Sequence, residues 1–459
     1  MGAGCCGKEY EGKSYTGYGG VLIRRRRGNQ VVPLERLPLP QIKKNYLYLP
    51  NRFLDSDGHI SSVGTSGLEN TSNSCFINAA LQCIANAAPL TDYFLSGVYL
   101  EEINARNVLG TRGELAEAYA ELLEVMWFNA HECILPRRLL DLIDIHANQF
   151  ADGHQHDAHE FLACFLDKLH EDLNRSPRKI VSALVQSKEE KEERKAARAW
   201  QQYLTKNSSV IVDLFQGQLK STVTCMVCRY VSTTFDTFMY LSVPLPKTDR
   251  PVTLVDCLIE FTKNEILPDN TWVCPMCKKE VRAVKKIDIW KVPPILLIHL
   301  KRFYYEKSSY GKLINRVDYP VTGLDITQYV SGPQKEPPVY DLFAKIDHAG
   351  DMAAGHYVAY AKNARNRLWH YFDDEQVHQV DESEVLSEQA YLLFYCKVSI
   401  SQYRRQSSKM PSLWPHVLSR TESFDSEKQD QSNSTASGER ESRRDRKKPL
   451  GVIREDPSL

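Results

Sequence analysis

Gly67-Leu-Glu-Asn70-Thr-Ser-Asn-Ser-Cys75-Phe-Ile-Asn78-Ala-Ala-Leu-Gln82 is the stretch on which the reading of the chain turns. Polar residues 70–74 run into a segment where Ile77, Leu81 and Ile84 recur at helical spacing. The spacing predicts an amphipathic helix that begins at Cys75 and is ended by Pro89. A thiol at a helix start feels the positive helix end and several free backbone N–H groups, and both favour thiolate over thiol. The same N–H groups, helped by the Asn70 side chain, suit an oxyanion. From this stretch alone, Cys75 is either a nucleophile or a small buried residue beside a helix cap.

A partner for a nucleophile lies far along the chain. In Gly355-His-Tyr-Val-Ala-Tyr-Ala361, Tyr357, Ala359 and Ala361 alternate with Val358 and Tyr360, as in a strand. After the polar stretch 362–367 comes a second strand, Leu368-Trp-His-Tyr-Phe-Asp373-Asp374. Folded as an antiparallel hairpin about residues 364–365, the two strands set His356 opposite Asp373. A carboxylate beside an imidazole orients it and stabilises its protonated form. The alternative is an ordinary hairpin with a histidine near one end.

Outward from these segments the chain changes character. Residues 75–174 read as helices, with further stripes at Leu115, Tyr119, Leu122, Leu123 and Met126 and from Phe161 to Leu173. Residues 208–398 read mostly as strands, among them Val210–Phe215, Lys220–Thr224, Phe238–Val243, Ile295–Phe303, Leu342–Ile346, Tyr357–Ala361 and Tyr391–Cys396. Helices followed by strands indicate an α+β architecture. Between the halves, Lys188–Gln202 is dense in Lys, Glu, Arg and Ala. Glu190 precedes Arg194 by one helical turn, so this reads as an exposed helix in a surface insertion. Residues 1–64 are rich in Gly, Pro and Arg and read as extended or turn structure; 399–459 read as a disordered polar tail.

Composition narrows the function. The 459 residues carry 58 Lys+Arg against 58 Asp+Glu, a net charge of zero that excludes a nucleic-acid binder working by bulk charge. The zero is a sum of unlike parts: +5 over 1–64, −12 over 65–174, +4 over 175–400 and +3 over 401–459. The acidic segment fits either a cationic partner or solvated helical faces. No apolar run approaches the ~20 residues that span a bilayer. The N-terminus lacks the apolar core of a signal peptide, so the expectation is a chain that is not secreted. Its twelve cysteines are then reduced thiols, metal ligands or nucleophiles. Cys225-Met-Val-Cys228 and Cys274-Pro-Met-Cys277 are two CxxC pairs, each able to offer two thiolates from one turn. Together they suit one structural zinc site of four cysteines, filled by protein and hence not catalytic; the alternative is four free thiols.

Three segments together carry a resemblance. Gly67 to Gln82 resembles the Cys box of the ubiquitin-specific proteases. Phe150-Ala-Asp-Gly153-His-Gln155-His-Asp157-Ala-His-Glu160-Phe-Leu162 is similar to that family's intermediate box, and Tyr340 to Asp374 with Ala390-Tyr-Leu-Leu-Phe-Tyr395 to its His box. The match covers roughly residues 65–398. It implies a papain-like cysteine-protease domain of thumb, palm and fingers, with fingers over about 208–300 and the charged insertion over about 178–206. It implies a deubiquitinase in which Cys75 attacks the carbonyl of ubiquitin's last glycine, His356 moves the proton, Asp373 orients His356, and Asn70 helps hold the oxyanion. Asp157 and Glu160 would approach the two arginines of the ubiquitin tail, and the four-cysteine zinc would tie the fingertips; no catalytic cofactor is implied. The expected partners are ubiquitin and ubiquitinated proteins. The sequence departs from the family where Thr71-Ser72 replaces Leu-Gly and Ser74 replaces Thr. If Ser72 must adopt φ > 0, the oxyanion loop is strained. The rivals are a catalytically impaired ubiquitin-binding scaffold of the same fold and, from another class, a thiol acyltransferase.

The ends add expectations about location. Met1-Gly2-Ala-Gly-Cys5-Cys6 resembles a dual-acylation signal, with myristate on Gly2 and palmitate on Cys5 or Cys6; Cys6 stands where Ser or Thr is usual. Arg24–Arg27 and Lys43-Lys44 would add attraction to an anionic membrane surface. In the tail, Arg420–Ser423 reads as a kinase site and Arg443–Lys448 as a nuclear signal, or both as solvated disorder. The expected location is cytoplasmic, with membrane association through the acylated N-terminus and access to the nucleus.

Overall fold

A computed structural model of the chain describes residues 15–18, 21–24, 64–128, 132–176 and 191–398, apart from 249, 270, 307, 308, 352 and 353. Gly2, Cys5, Cys6, Lys43-Lys44, Glu190 and the tail motifs lie outside the described residues. Among those described, no helix is long and apolar enough to cross a membrane.

The N-terminal half is mostly helical, as expected. Four short strands, β1 (Tyr15–Tyr18), β2 (Val21–Arg24), β3 (Gly67–Leu68) and β4 (Cys133–Leu135), form a sheet in the order β1-β2-β4-β3. The helices of eight residues or more are α1 (Cys75–Ala85), α2 (Ala88–Leu95), α3 (Glu114–Phe128), α4 (Arg137–His146) and α5 (Ala158–Asp172). All eleven residues of α1 are buried, so it is a central helix and not an amphipathic surface one. Pro89 does not end it. Asn86 closes α1, and Pro89 sits in the first turn of α2, where its missing N–H has no helical partner to lose.

The C-terminal half begins with α6 (Glu192–Leu204) and α7 (Val210–Phe215). The segment 210–215 was expected as a strand from its β-branched Val-Ile-Val run. It is a short helix because Ser209 caps it, accepting from the Val212 N–H, and because packing overrides propensity for a segment with five buried residues. Helix α6 is a surface helix, as expected, with Ala196 its one buried residue. The Ala196 carbonyl accepts from Gln218 Nε2 at 3.1 Å, and Lys291 Nζ sits 3.6 Å over the Trp200 ring.

The strands of five residues or more that follow are β5 (Gly217–Cys225), β6 (Val231–Phe238), β7 (Tyr240–Pro244), β8 (Ala283–Lys291), β9 (Ile295–Lys301), β10 (Val339–Gly350), β11 (Gly355–Lys362), β12 (Trp369–Asp373), β13 (Gln376–Val380) and β14 (Ala390–Lys397). Strands β6-β5-β8 with Glu265–Ile266 make an extended fingers sheet, and β13-β12-β11-β10-β14-β9-β7 make the main sheet, in which Leu324–Asp325 also pairs with β10. Helix α1 packs between β11 and α5.

The main sheet carries a buried ion pair. Lys345 and Asp347, two apart on β10, point to one face. Lys345 Nζ lies 2.6 Å from each Asp347 oxygen and 2.6 Å from Ser387 Oγ, and is wholly buried. Removing one partner leaves a buried charge uncompensated. Lys345→Met is expected to cost about 3 kcal/mol or more in equilibrium denaturation, with a clearly smaller loss in Lys345→Met/Asp347→Leu. Equal losses in the two variants would contradict this account.

Candidate active site

Cys75 is the first residue of α1 and is 1% exposed. The loop before it is built by Asn70, whose Oδ1 accepts from Ser74 N at 3.0 Å, while Thr71 N donates to Ser74 Oγ at 3.0 Å. Ser72 and Asn73 follow at φ +67° and +64°, so Ser72 does sit in the left-handed region that the replaced glycine would favour. Asn73 tolerates this conformation better, and its Nδ2 donates to Gly153 O at 2.8 Å.

His356 reaches Cys75 from β11. Its ring lies beside the Cys75 thiol, close enough for the two to shift each other's charge, and its Nε2 lies 2.6 Å from Asp373 Oδ1 at the end of β12. The Cys75 side chain does most to raise the imidazole pKa; burial opposes it and Asp373 adds to it, and the result is about 9. The hairpin register differs from the expected one. Lys362 pairs with Trp369, Ala361 with His370 and Tyr360 with Tyr371, so Asp373 is not opposite His356 but diagonal to it. The cause is a longer turn over 363–368, organised by Asn363 Oδ1, which accepts from Arg365 N and Asn366 N. A slip of two positions leaves every side chain on its own face, so the two still meet.

Two residues given no firm role by the sequence reading hold this site. Gln155 grips the backbone of Gly355 at both ends: Gly355 N donates to its Oε1 at 2.6 Å, and its Nε2 donates to Gly355 O. That fixes the strand immediately before His356. Asp374 has φ +50° and accepts from Asn70 Nδ2 at 2.7 Å and Asn78 Nδ2 at 2.8 Å; its carbonyl accepts from Leu68 N at 2.7 Å. His356, Asp373 and Asp374 are close enough to chelate a cation, but both Asp374 oxygens already face amide donors. Asp157 is the N-cap of α5. Its Oδ1 accepts from His159 N at 2.7 Å and its Oδ2 accepts from Tyr391 OH, while Glu160 is exposed in the first turn.

Cys225, Cys228, Cys274 and Cys277 converge at the end of the fingers, all four Sγ atoms within 4.8 Å of one another. Cys225–Cys277 Sγ atoms are 3.9 Å apart and Cys228–Cys274 3.6 Å. A tetrahedron of 2.3 Å metal–sulfur bonds has edges of about 3.8 Å, so the four thiols fit a metal. The two turns are built alike: Cys228 N and Cys277 N each approach the first sulfur of their pair at 3.4 Å, and Arg229 and Lys278 follow at φ +62° and +59°.

Ser72 is the one non-glycine, non-asparagine residue of the oxyanion loop in left-handed backbone. Ser72→Gly is expected to stabilise the protein by up to about 1 kcal/mol in thermal or chemical denaturation, relief of strain outweighing the added chain entropy of glycine. A loss of stability would refute the strain.

Comparison with known proteins agrees with the geometry. The family model for ubiquitin carboxyl-terminal hydrolase matches residues 66–395. Ubiquitin carboxyl-terminal hydrolase 2 of Homo sapiens is 37% identical over 338 residues, covering 73% of this chain and 55% of that protein. Ubiquitin carboxyl-terminal hydrolase 21 of Homo sapiens is 35% identical over 352 residues, covering 72% of this chain and 61% of that protein. The chain therefore spans little more than half the length of these relatives. Among solved structures, a chain of the SAGA DUB module bound to monoubiquitin superposes with TM-score 0.59 at 25% identity, over 73% of this chain and 69% of that one. The same module bound to ubiquitin aldehyde gives 0.58 at 25% identity, over 73% and 70%. With the helical half, main sheet and fingers in this arrangement, the fold is the papain-like one of ubiquitin-specific proteases, and the chain belongs to the ubiquitin carboxyl-terminal hydrolase family.

Proposed function

We propose that the chain is a cysteine-type ubiquitinyl hydrolase, cutting the isopeptide or peptide bond that follows ubiquitin's C-terminal glycine. The observation that carries this reading is His356, hydrogen-bonded to Asp373 Oδ1 at 2.6 Å and raised in pKa to about 9 chiefly by the Cys75 thiol beside it. The Cys75 thiolate attacks the glycine carbonyl, and the oxyanion is met by backbone N–H groups at the start of α1 and by the second N–H of Asn70 Nδ2. The imidazolium of His356 gives its proton to the leaving lysine amine, and the neutral ring then takes one from the water that hydrolyses the thioester. Asp373 holds the ring throughout. Asp157 and Glu160 face ubiquitin's cationic tail, in keeping with the charge of −12 over residues 65–174. The strained Ser72 is the observation that favours an impaired ubiquitin-binding scaffold. The assembled Cys75–His356–Asp373 arrangement outweighs it, because strain in the loop slows a reaction without removing its groups. Ubiquitin bearing a C-terminal electrophile is expected to form an adduct at Cys75 and none in Cys75→Ser. Cleavage of a lysine-linked substrate should slow as pH rises through about 9, where His356 loses the proton it gives to the leaving amine. A folded protein that forms no adduct would sink the hydrolase reading.

We propose further that Cys225, Cys228, Cys274 and Cys277 bind one structural zinc ion. Sulfur separations of 3.6 and 3.9 Å, close to the tetrahedral edge, support the reading. With four protein ligands the ion has no open position, so it braces the fingertips and takes no part in hydrolysis. Metal analysis should find one zinc per chain. Cys228→Ser or Cys274→Ser should lose it, with a lower unfolding temperature and weaker ubiquitin binding. A metal-free protein of unchanged stability would contradict the assignment.

A further inference from the structure

Asp157 does more than cap a helix. An N-cap needs one carboxylate oxygen, and Oδ1 supplies it to His159 N. The second oxygen is engaged by a chain of polar groups, Tyr391 buried and His299 and Ser242 partly buried, that has no part in capping. Tyr391 OH donates to Asp157 Oδ2, His299 Nε2 lies 3.1 Å from Tyr391 OH, and Ser242 Oγ lies 3.0 Å from His299 Nδ1. One assignment of protons satisfies every member. Tyr391 has a single O–H and spends it on the carboxylate, so His299 Nε2 must carry a proton and donate to the phenol oxygen. Burial holds the His299 pKa down to about 3, so the ring is neutral and its Nδ1 accepts from Ser242. Burial and the neighbouring Asp157 push the Tyr391 phenol well up, so it keeps the proton it donates.

The chain crosses the main sheet and closes on itself. Ser242 on β7 pairs with His299 on β9, and His299 pairs with Leu392, the neighbour of Tyr391 on β14. His159, whose backbone N–H donates to Asp157 Oδ1, stacks its ring on His299 with centroids 4.1 Å apart and planes 13° from parallel. Both oxygens of Asp157 are thereby held in one orientation. Each retains a further lone pair, which is the geometry a guanidinium fork requires.

We propose that Ser242, His299 and Tyr391 form a directional hydrogen-bond relay that presets the Asp157 carboxylate for an arginine of the substrate's tail, with His299 and Tyr391 acting as positioning residues for tail recognition. The inference rests on the hydrolase reading above, in which Asp157 meets that tail. An unheld carboxylate would have to be ordered on binding, and the relay removes that cost beforehand.

The test is steady-state cleavage of two fluorogenic ubiquitins, one with its native tail and one with the tail arginines replaced by alanine. Tyr391→Phe and His299→Leu should raise KM for the native substrate by about tenfold, the worth of one charge-assisted contact, with kcat nearly unchanged. They should leave KM for the alanine-tailed substrate at the wild-type value. His299→Gln, which can still donate to Tyr391 and accept from Ser242, should recover most of the loss. Unfolding temperatures and adduct formation at Cys75 establish that each variant is folded; if His299→Leu is not, Tyr391→Phe decides alone. Equal effects on both substrates, a fall in kcat at constant KM, or no effect in Tyr391→Phe would overturn the relay. A wild-type protein that cleaves neither substrate and forms no adduct would overturn the hydrolase reading and the relay with it.

Discussion

The candidate active site depends on a seam where the end of β12 lies against the segment leading into α1. Leu68 N donates to the Asp374 carbonyl, and the Asp374 carboxylate bridges Asn70 and Asn78. The approach is so close that a Cβ at Gly67 would run into the Glu375 carbonyl, which is why that position must lack a side chain. Through these contacts the helical half, which carries Cys75, is registered against the sheet, which carries His356 and Asp373. A thiol and an imidazole from elements nearly 300 positions apart meet only if this seam is held, because catalysis tolerates little error in their separation.

Much of this was legible in the sequence, and the misses have physical causes. The start of α1 at Cys75 and the alternation in β11 and β12 were plain, because helix caps and two-residue periodicity are local signals. The hairpin register was missed because turn length depends on how Asn363 organises 363–368, which alternation does not encode. The face shared by His356 and Asp373 survived, since parity is set by alternation alone. Val210–Phe215 was misread because a short apolar β-branched run looks alike in a strand and in a buried helix. The left-handed Ser72 was foreseeable from a missing glycine. The double grip of Gln155 on Gly355 and the two oxygens of Asp157 were not, since both are contacts between distant elements.

Strain at Ser72 and burial at Cys75 bear on one another. The loop 70–74 keeps its shape although Ser72 is in costly backbone, so other contacts must over-determine it. They are the Asn70 and Ser74 bonds within the loop, the Asn73 bond to Gly153, and the Asp374 bridge from the sheet. The cost of a serine at this position is thus carried by the seam and not by displacement of Cys75.

The main sheet buries more polarity than a β-sheet core needs. Lys345 pairs with Asp347 and Ser387; Arg302, 1% exposed, donates to the carbonyls of Leu313, Asn315, Glu388 and Ala390; and the Ser242–His299–Tyr391–Asp157 chain lies across β7, β9 and β14. Such groups contribute little net stability against well-packed apolar replacements, yet each is expensive to leave unpaired. Their effect is therefore on register. Strand β10 meets β14 with irregularities between Leu342 and Ala344 and between Ile346 and Asp347, where apolar packing alone discriminates weakly between neighbouring alignments. A slipped alignment would strand a lysine, an arginine or an aspartate in the core. The sheet that presents His356 is in this way specified by what its buried polar groups forbid, and the same logic places the fixed carboxylate of Asp157 beside it.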